Sequence, residues 1–324
     1  MIKQQKDKLL FHYCSNQTMM SIIKHKQLWM SDISRSNDFN ELTIFLPDLY
    51  YAIEDKFDSN PFELLYSKNK GKRALQLILD AVDGFIVKAL RSGRLTSFVT
   101  CFSEFGDRLG QWRGYANDGK GCSLGFSKKE LEKYCDNSRG EIRLCKVKYI
   151  NRDEAHDYVV AQADEILNLI RNLRTRVRET FNSNELSEEE TELGMSILLY
   201  GTIEDFMLDS LQYKWDAFKE ENEWRMFFSS ITKDEKILFA EEHELPEWIK
   251  YDKDLILREK VDFYAKEDYV VTYFPVELKE LSDSPIKKLF LGPKNTSYLH
   301  DIELLIAKEK IGKADVCKSS ISYR

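Results

Sequence analysis

Apolar positions along this chain follow two periods, alternating over short runs and recurring every three or four residues over longer ones, and the switches between them mark the elements. Residues 9–14 (LLFHYC) read as a short buried strand. Ser15 and Asn16 stand next as N-cap candidates for a helix across TMMSIIKHKQ, and LWMSD is a second short strand. The chain thus opens as β-α-β on a very short helix. ISRSNDFNE is turn-rich, and the stretch to about residue 92 is helical in pattern, most clearly in KRALQLILDAVDGFIVKAL. Strand character returns in TSFVTCFSE (96–104), CSLGF and EIRLCKVKYI (141–150), with a Gly-rich connection, RLGQWRGYANDGKG, after the first and a helix before the last.

Residues 151–212 are helical again. Two helices fit, joined by NSNELSEEE, with Ser187 as a cap and the glutamates favouring the helix dipole. The last third reads as strands EWRMFFSS, KILFA, EKVDFYA and KKLFLG, then a helix after Asn295. With no repeat, no low-complexity linker and only six prolines, the expectation is one α+β domain over residues 1–324 with a helical insertion at 151–212.

Composition narrows this picture. The 324 residues, 43% of them hydrophobic, suffice for a large core. No run of about 18 apolar residues occurs, and MIKQQKDKLL lacks the apolar heart of a signal peptide, so a cytoplasmic protein with no membrane insertion is expected. Six scattered cysteines without a C-x-x-C pair read as free thiols rather than a zinc site or disulfide framework. A formal charge of −7 argues against a sequence-independent DNA binder. Any nucleic-acid contact must be local, and Arg171, Arg174 and Arg178 share one face at helical spacing. Taken alone, that face reads as solvated.

The candidate chemistry is sparse. Neither G-x-G-x-x-G after a strand nor G-x-x-x-x-G-K-[ST] is present, so no Rossmann site or P-loop is signalled. Trp112 and Tyr115 lie in the Gly-rich connection, where they would either stack on a flat ring or plug the core, the plug being the simpler reading. His12 sits in a strand, usually the place of a satisfied core residue, and no histidine spacing suggests a metal. In EENEW, Glu221 and Glu223 are two apart, so an extended chain would project both from one face, with Arg225 continuing it. That is either a surface Glu–Arg ladder or a carboxylate pair facing a ligand that becomes cationic.

LFHYCSNQTMMSIIKHKQLWMSD, SNDFNE, VTCFSEFGDRLGQWRGYANDGKGCSLGF, FKEENEWRMFF, LFLGP and SSISYR, in this order, resemble a bacterial family catalogued as a domain of unknown function, over nearly the whole chain. That family usually reads F-N-D-P-x-E where this chain has Ser36-Asn37-Asp38-Phe39-Asn40-Glu41. More distantly, H-Y-x-S on a strand-helix-strand, the TCFS strand and E-x-E opening a late strand resemble ADP-ribosyltransferases of the DarT and PARP-like group.

The second resemblance implies a mixed or antiparallel sheet of ADP-ribosyltransferase type. It also implies NAD as substrate, without a metal. His12 would hydrogen-bond a ribose hydroxyl with Tyr13 beside it, Ser103 would brace the catalytic glutamate or the nicotinamide ribose, and Trp112 or Tyr115 would stack on nicotinamide. Glu223 would be the catalytic acid residue and Glu221 would orient or deprotonate the acceptor. Asn37, Asp38 and the Arg171, Arg174, Arg178 face would contact substrate, and Arg225 would bind a substrate phosphate or simply neutralise the glutamate pair. The implied role is a bacterial toxin or anti-phage effector that modifies nucleic acid, RNA before DNA or protein, with antitoxin and chaperone partners. Two alternatives remain open: a non-enzymatic nucleotide- or protein-binding module, and a metal-dependent nuclease built on Asp38, Glu41, Glu221 and Glu223.

Overall fold

The computed structural model describes residues 7–33, 44–59, 95–138, 142–172, 202, 205–206, 208–231, 261–265 and 269–323. The helix expected at 72–90, the loop carrying Asn37, Asp38 and Glu41, the KILFA strand, Ser187, and Arg174 with Arg178 lie outside the described residues.

The opening β-α-β forms as its pattern requires. Strand β1 (Leu9–Cys14) leads into helix α1 (Asn16–His25), whose N-cap is Ser15: its hydroxyl accepts the Thr18 amide at 3.0 Å. The helix ends on Lys26 in the left-handed region, and its buried stripe is Met19, Ile22 and Ile23, at the i, i+3, i+4 spacing of one face. Strand β2 (Gln27–Asp32) follows, and helix α2 is Leu46–Ser59.

Strand β3 (Leu95–Ser103) is where the sheet branches. Along one edge it pairs over its whole length with β8 (Glu223–Ile231), and its other edge is shared. There β1 meets it only at Phe11↔Ser103, and β2 at Ser31↔Val99 and Asp32↔Phe98. Both are antiparallel to β3, so they run parallel to each other with α1 as the crossover between them.

Beyond β1 lie β4 (Cys122–Ser127), β11 (Ile286–Leu291) and β12 (Asp315–Lys318); beyond β2 lie β10 (Val270–Glu277) and β9 (Asp262–Ala265). Strand β5 (Arg143–Lys146) adds to the free edge of β8. Among the described residues every pairing in this sheet is antiparallel except β11 with β12, so the fold is α+β with a mixed sheet. The main core lies on one face, where Phe98 and Phe102 of β3 and Met226 and Phe228 of β8 meet Leu10, Leu124 and Phe126. Helices α1, α4 (Lys128–Asn137) and α7 (Leu299–Glu309) contribute their buried residues there, and the short helix α6 (Leu278–Leu281) closes β10 against it.

Four departures from the sequence reading have physical causes. The Gly-rich connection contains a helix, α3 (Leu109–Tyr115), because Trp112 is fully buried and anchors that turn. The chain then reverses through Asn117, Asp118 and Gly119, all at positive φ, and Gly121 passes the Cys14 carbonyl so closely that an added Cβ would lie 2.1 Å from it.

EIRLCKVKYI is two strands. Val147 gives its amide to the Glu223 carbonyl at 2.9 Å, then the Lys148 amide turns to Gln212, and Lys148–Ile150 becomes β6 of a separate two-stranded sheet with β7 (Tyr213–Trp215). Strand β10 carries Pro275, which pairs with Trp29 of β2, and its long antiparallel register with β2 forms the strand around a residue that has no amide hydrogen to give. Strand β12 is short and half-exposed and carries no periodic signal. Of the helical region, α5 (Arg152–Arg171) and helical residues 202, 205–206 and 208–210 are described.

Glu104, just past β3, fastens three strands at one end. Its Oε1 accepts from Lys8 at 2.7 Å and from the Trp224 indole at 2.9 Å, and lies 3.1 Å from Lys146. Burial would raise its carboxyl, but these donors outweigh burial and bring it from the ordinary 4.5 to about 2. The folded value is the depressed one, so this contribution is present above pH 4.5 and is lost as pH falls toward 2. Glu104→Gln should lower stability at pH 7 by about 1–2 kcal/mol and flatten the loss of stability between pH 4.5 and pH 3 in urea unfolding. An unchanged acid profile would show that Glu104 does not make these bonds.

Candidate functional site

The site grows from the register of three strands. Phe11, Ser103 and Glu223 are consecutive partners across β1, β3 and β8, so they share a face, and Cys101, Arg225 and Cys145 form the next row on it. This face is opposite the one carrying Phe102 and Met226. It is here that the chain buries charge: Glu223 is 5% exposed and Arg225 1%.

The guanidinium of Arg225 grips Glu223 with two bonds, Nε to Oε1 at 2.8 Å and Nη2 to Oε2 at 3.1 Å, while Nη1 donates to the Leu211 carbonyl at 3.0 Å. Lys214, buried in β7, places Nζ 2.8 Å from Glu221 Oε2 and 3.4 Å from Glu223 Oε2. Tyr115, 42% exposed at the end of α3, donates its hydroxyl to Glu221 Oε1 at 2.8 Å. The result is a continuous chain from surface to interior: Tyr115, Glu221, Lys214, Glu223, Arg225.

Burial pushes the Glu223 carboxyl upward, but the charge and bonds of Arg225, then Lys214 and the Cys101 thiol, outweigh it and hold the group below the ordinary carboxylate range. Both carboxylates are thereby kept close together, with a buried ammonium between them. Their convergence does not come from strand alternation as expected. Glu221 ends a 3-10 helix (Asp216–Glu221), Asn222 turns the chain through φ 46°, and only Glu223 begins the strand. Lys214 is what joins them.

Backbone bonds fix this corner. Ser103 Oγ donates to the Glu221 carbonyl at 2.8 Å and accepts the Phe105 amide at 3.3 Å. Tyr149 Oη accepts the Glu223 amide at 2.9 Å, and burial lifts that phenol to about 12. Ser103 therefore braces the segment carrying Glu221.

Several expected roles are corrected. His12 follows Phe11 by one residue and so turns to the face opposite Glu223 and Ser103. There its Nδ1–H donates to the Cys101 carbonyl at 2.9 Å, its ring lies edge-on to Phe102, and burial lowers its pKa. His12 does not share a cleft with Glu223. Tyr13 is on the Glu223 face but buried, its hydroxyl donating to the Phe105 carbonyl at 2.8 Å and accepting the Arg108 amide at 3.1 Å.

Trp112 is a core plug, edge-on to Tyr13 at 4.8 Å, and presents no face to a ring such as nicotinamide. Of the two roles open to Arg225 the structure shows neutralisation of Glu223: it is buried and committed to Glu223 and Leu211, and so is not available to a phosphate. Nor is the Glu–Arg pair a surface ladder. Arg171 closes α5, and the rest of the proposed arginine face lies outside the described residues.

Lys214, Tyr149 and Cys101 were not foreseen. Lys214 sits between two aromatic residues in a three-residue strand, and nothing in its local pattern ties it to carboxylates seven and nine positions on. Among the described residues no group of three or more His, Cys, Asp or Glu is arranged to hold a metal, and no helix is long and apolar enough to cross a membrane.

Residues 111–226 match a protein family of unknown function (DUF2971). The match takes in Tyr115, Lys214, Glu221, Glu223 and Arg225 but stops short of His12, Tyr13 and Ser103, so it is narrower than the near-complete resemblance expected from the motifs. No curated protein and no solved structure matches the chain.

The bidentate pair has a measurable consequence. Arg225→Ala leaves a carboxylate buried without its main partner and should cost about 3–5 kcal/mol in denaturant unfolding. Arg225→Lys should recover only part, because an ammonium cannot make the two-pronged contact. A cost below about 1 kcal/mol for Arg225→Ala would mean that the pair is exposed to water in solution.

Proposed function

We propose that the protein is an NAD-dependent ADP-ribosyltransferase, with NAD as substrate and no metal, built on an ADP-ribosyltransferase-like sheet. The observation that carries this reading is the fixed pair Glu221 and Glu223, held side by side at the start of β8 and braced by Ser103. In such a reaction the bond between nicotinamide and C1′ of the ribose breaks, the electron pair leaves with nicotinamide, and positive charge grows on the sugar. A rigid carboxylate stabilises that charge. The acceptor then bonds to C1′ and gives up its proton.

The roles differ from those first expected. Glu223 is enclosed by Arg225 and Lys214, so Glu221, at the mouth beside exposed Tyr115, is assigned to the sugar or the acceptor, and Glu223 fixes Lys214 behind it. Tyr115 is the ring assigned to nicotinamide. The acceptor class proposed is nucleic acid, RNA ahead of DNA and protein, with the chain acting in the cytoplasm as a toxin or anti-phage effector answerable to antitoxin and chaperone proteins.

One observation favours a rival. Two carboxylates neutralised by two cations is also the arrangement of a purely structural network, and Tyr13 and Trp112 are spent on packing. That combination suits a non-enzymatic binding module. The nuclease alternative is less well supported, since the Lys214 ammonium already lies between the two carboxylates.

Incubation with adenylate-labelled NAD, single-stranded RNA, single-stranded DNA and cell extract separates these readings. Label should pass to RNA, and Glu221→Gln should reduce transfer by roughly 100-fold or more while the protein remains folded. Glu223→Gln should abolish transfer and also lower stability. Transfer by folded Glu221→Gln at the parent rate would overturn the assignment, and nucleic-acid cleavage abolished by a chelator would favour the nuclease.

A further inference from the structure

Two carboxylates in the segment between β3 and β4 bind the end of the chain. Asp107 accepts four bonds: from the Trp112 indole at 2.7 Å, the Ser319 hydroxyl at 2.5 Å, the Ser320 amide at 2.8 Å and the Ser320 hydroxyl at 2.9 Å. Asp118 accepts the Tyr323 hydroxyl at 2.6 Å and the Lys294 ammonium at 2.8 Å, and that ammonium also sits 3.8 Å over the Tyr323 ring. Between these two pins, Ile321 packs on the cluster of Phe11, Tyr13, Trp112 and Ala116. Upstream, the Ser319 amide is anchored to the Leu291 carbonyl of β11 at 2.8 Å.

The fastened segment is the one that carries α3. Its last residue, Tyr115, reaches Glu221, and its buried Trp112 shares Asp107 with the two serines. Short helices have little stability of their own, so α3 depends on such tertiary contacts. Ser320 is exposed, and its two donors go to the same oxygen, Asp107 Oδ2.

We infer that residues 319–323 form a strap that holds α3, and with it Tyr115, against the carboxylate pair, and that negative charge placed at Ser320 releases the strap. The physical basis is that a serine hydroxyl donates to Asp107, whereas an anion at the same position repels it. Losing the hydroxyl alone is a smaller perturbation, because the Ser320 amide and Ser319 hydroxyl still reach Asp107. The functional meaning of release rests on the transferase reading, but the strap itself does not.

Hydrogen exchange on the full chain tests the inference directly, comparing the parent with Ser320→Ala, Ser320→Glu and Asp107→Ala. Ser320→Glu and Asp107→Ala should speed exchange about tenfold or more in residues 109–121, with the amides of β3, β4 and β8 unchanged. Ser320→Ala should stay within about threefold of the parent.

Equal effects of Ser320→Glu and Ser320→Ala, or a rise in all strands together, would overturn the strap. If the parent transfers label from NAD, Ser320→Glu should lower kcat/KM in step with the exchange in 109–121, and an unchanged kcat/KM despite faster exchange would overturn the link to the site. Absence of transfer in the parent, with local release still observed, would count against the transferase reading and leave the strap standing.

Discussion

A carboxylate that is nearly all buried can stay ionised only if its charge is answered inside the protein, and the contact between Glu223 and Arg225 is that answer. Much of the surrounding structure follows from satisfying it. Arg225 must also reach the Leu211 carbonyl, which fixes the end of the preceding helical turn. The second oxygen of Glu223 calls for Lys214, which brings β7 close to the start of β8. Lys214 has a donor to spare, and Glu221 takes it. Four charges sum to zero in a space from which water is largely excluded, and removing any one leaves the others costly.

The branch in the sheet places this network at the junction of β3 and β8. Because β1 and β2 share one edge of β3 while β8 occupies the other, the C-terminal end of β3 emerges beside the start of β8. The loop after β3 carries α3 to this corner, so Tyr115 is the surface terminus of a chain of bonds whose inner terminus is Arg225. The tail at 319–323 completes the arrangement from the far side. Sheet topology and the ties on the short helix α3 together hold the network in place.

Elements whose cause is local were legible in the sequence. The N-cap at Ser15, the short apolar, β-prone runs of β1, β3 and β8 and the amphipathic stripe of α1 each depend on residues within a few positions of one another. What failed depends on distant contacts. Trp112 turns a glycine-rich stretch helical because it is buried against Tyr13, about a hundred residues upstream. Pro275 sits in a strand because β10 is paired with β2, about 245 residues upstream. EIRLCKVKYI divides because its two halves have partners in different sheets. The glutamate pair was visible as an unusual concentration of charge at a strand start, but the reason for its convergence was not: alternation was the wrong mechanism, and Lys214 lies in another sheet. The placement of His12 also follows the period of two, which sends it away from Glu223.

Glu223 is buried and yet ionised, and carboxyl titration tests this most directly. In protein labelled with carbon-13 at the glutamate carboxyl, the Glu223 resonance, assigned through its backbone, should keep its ionised shift as pH falls through the ordinary carboxylate range and change only below it. A resonance that titrates above that range would show a carboxyl governed by burial rather than by Arg225 and Lys214, and would contradict the account.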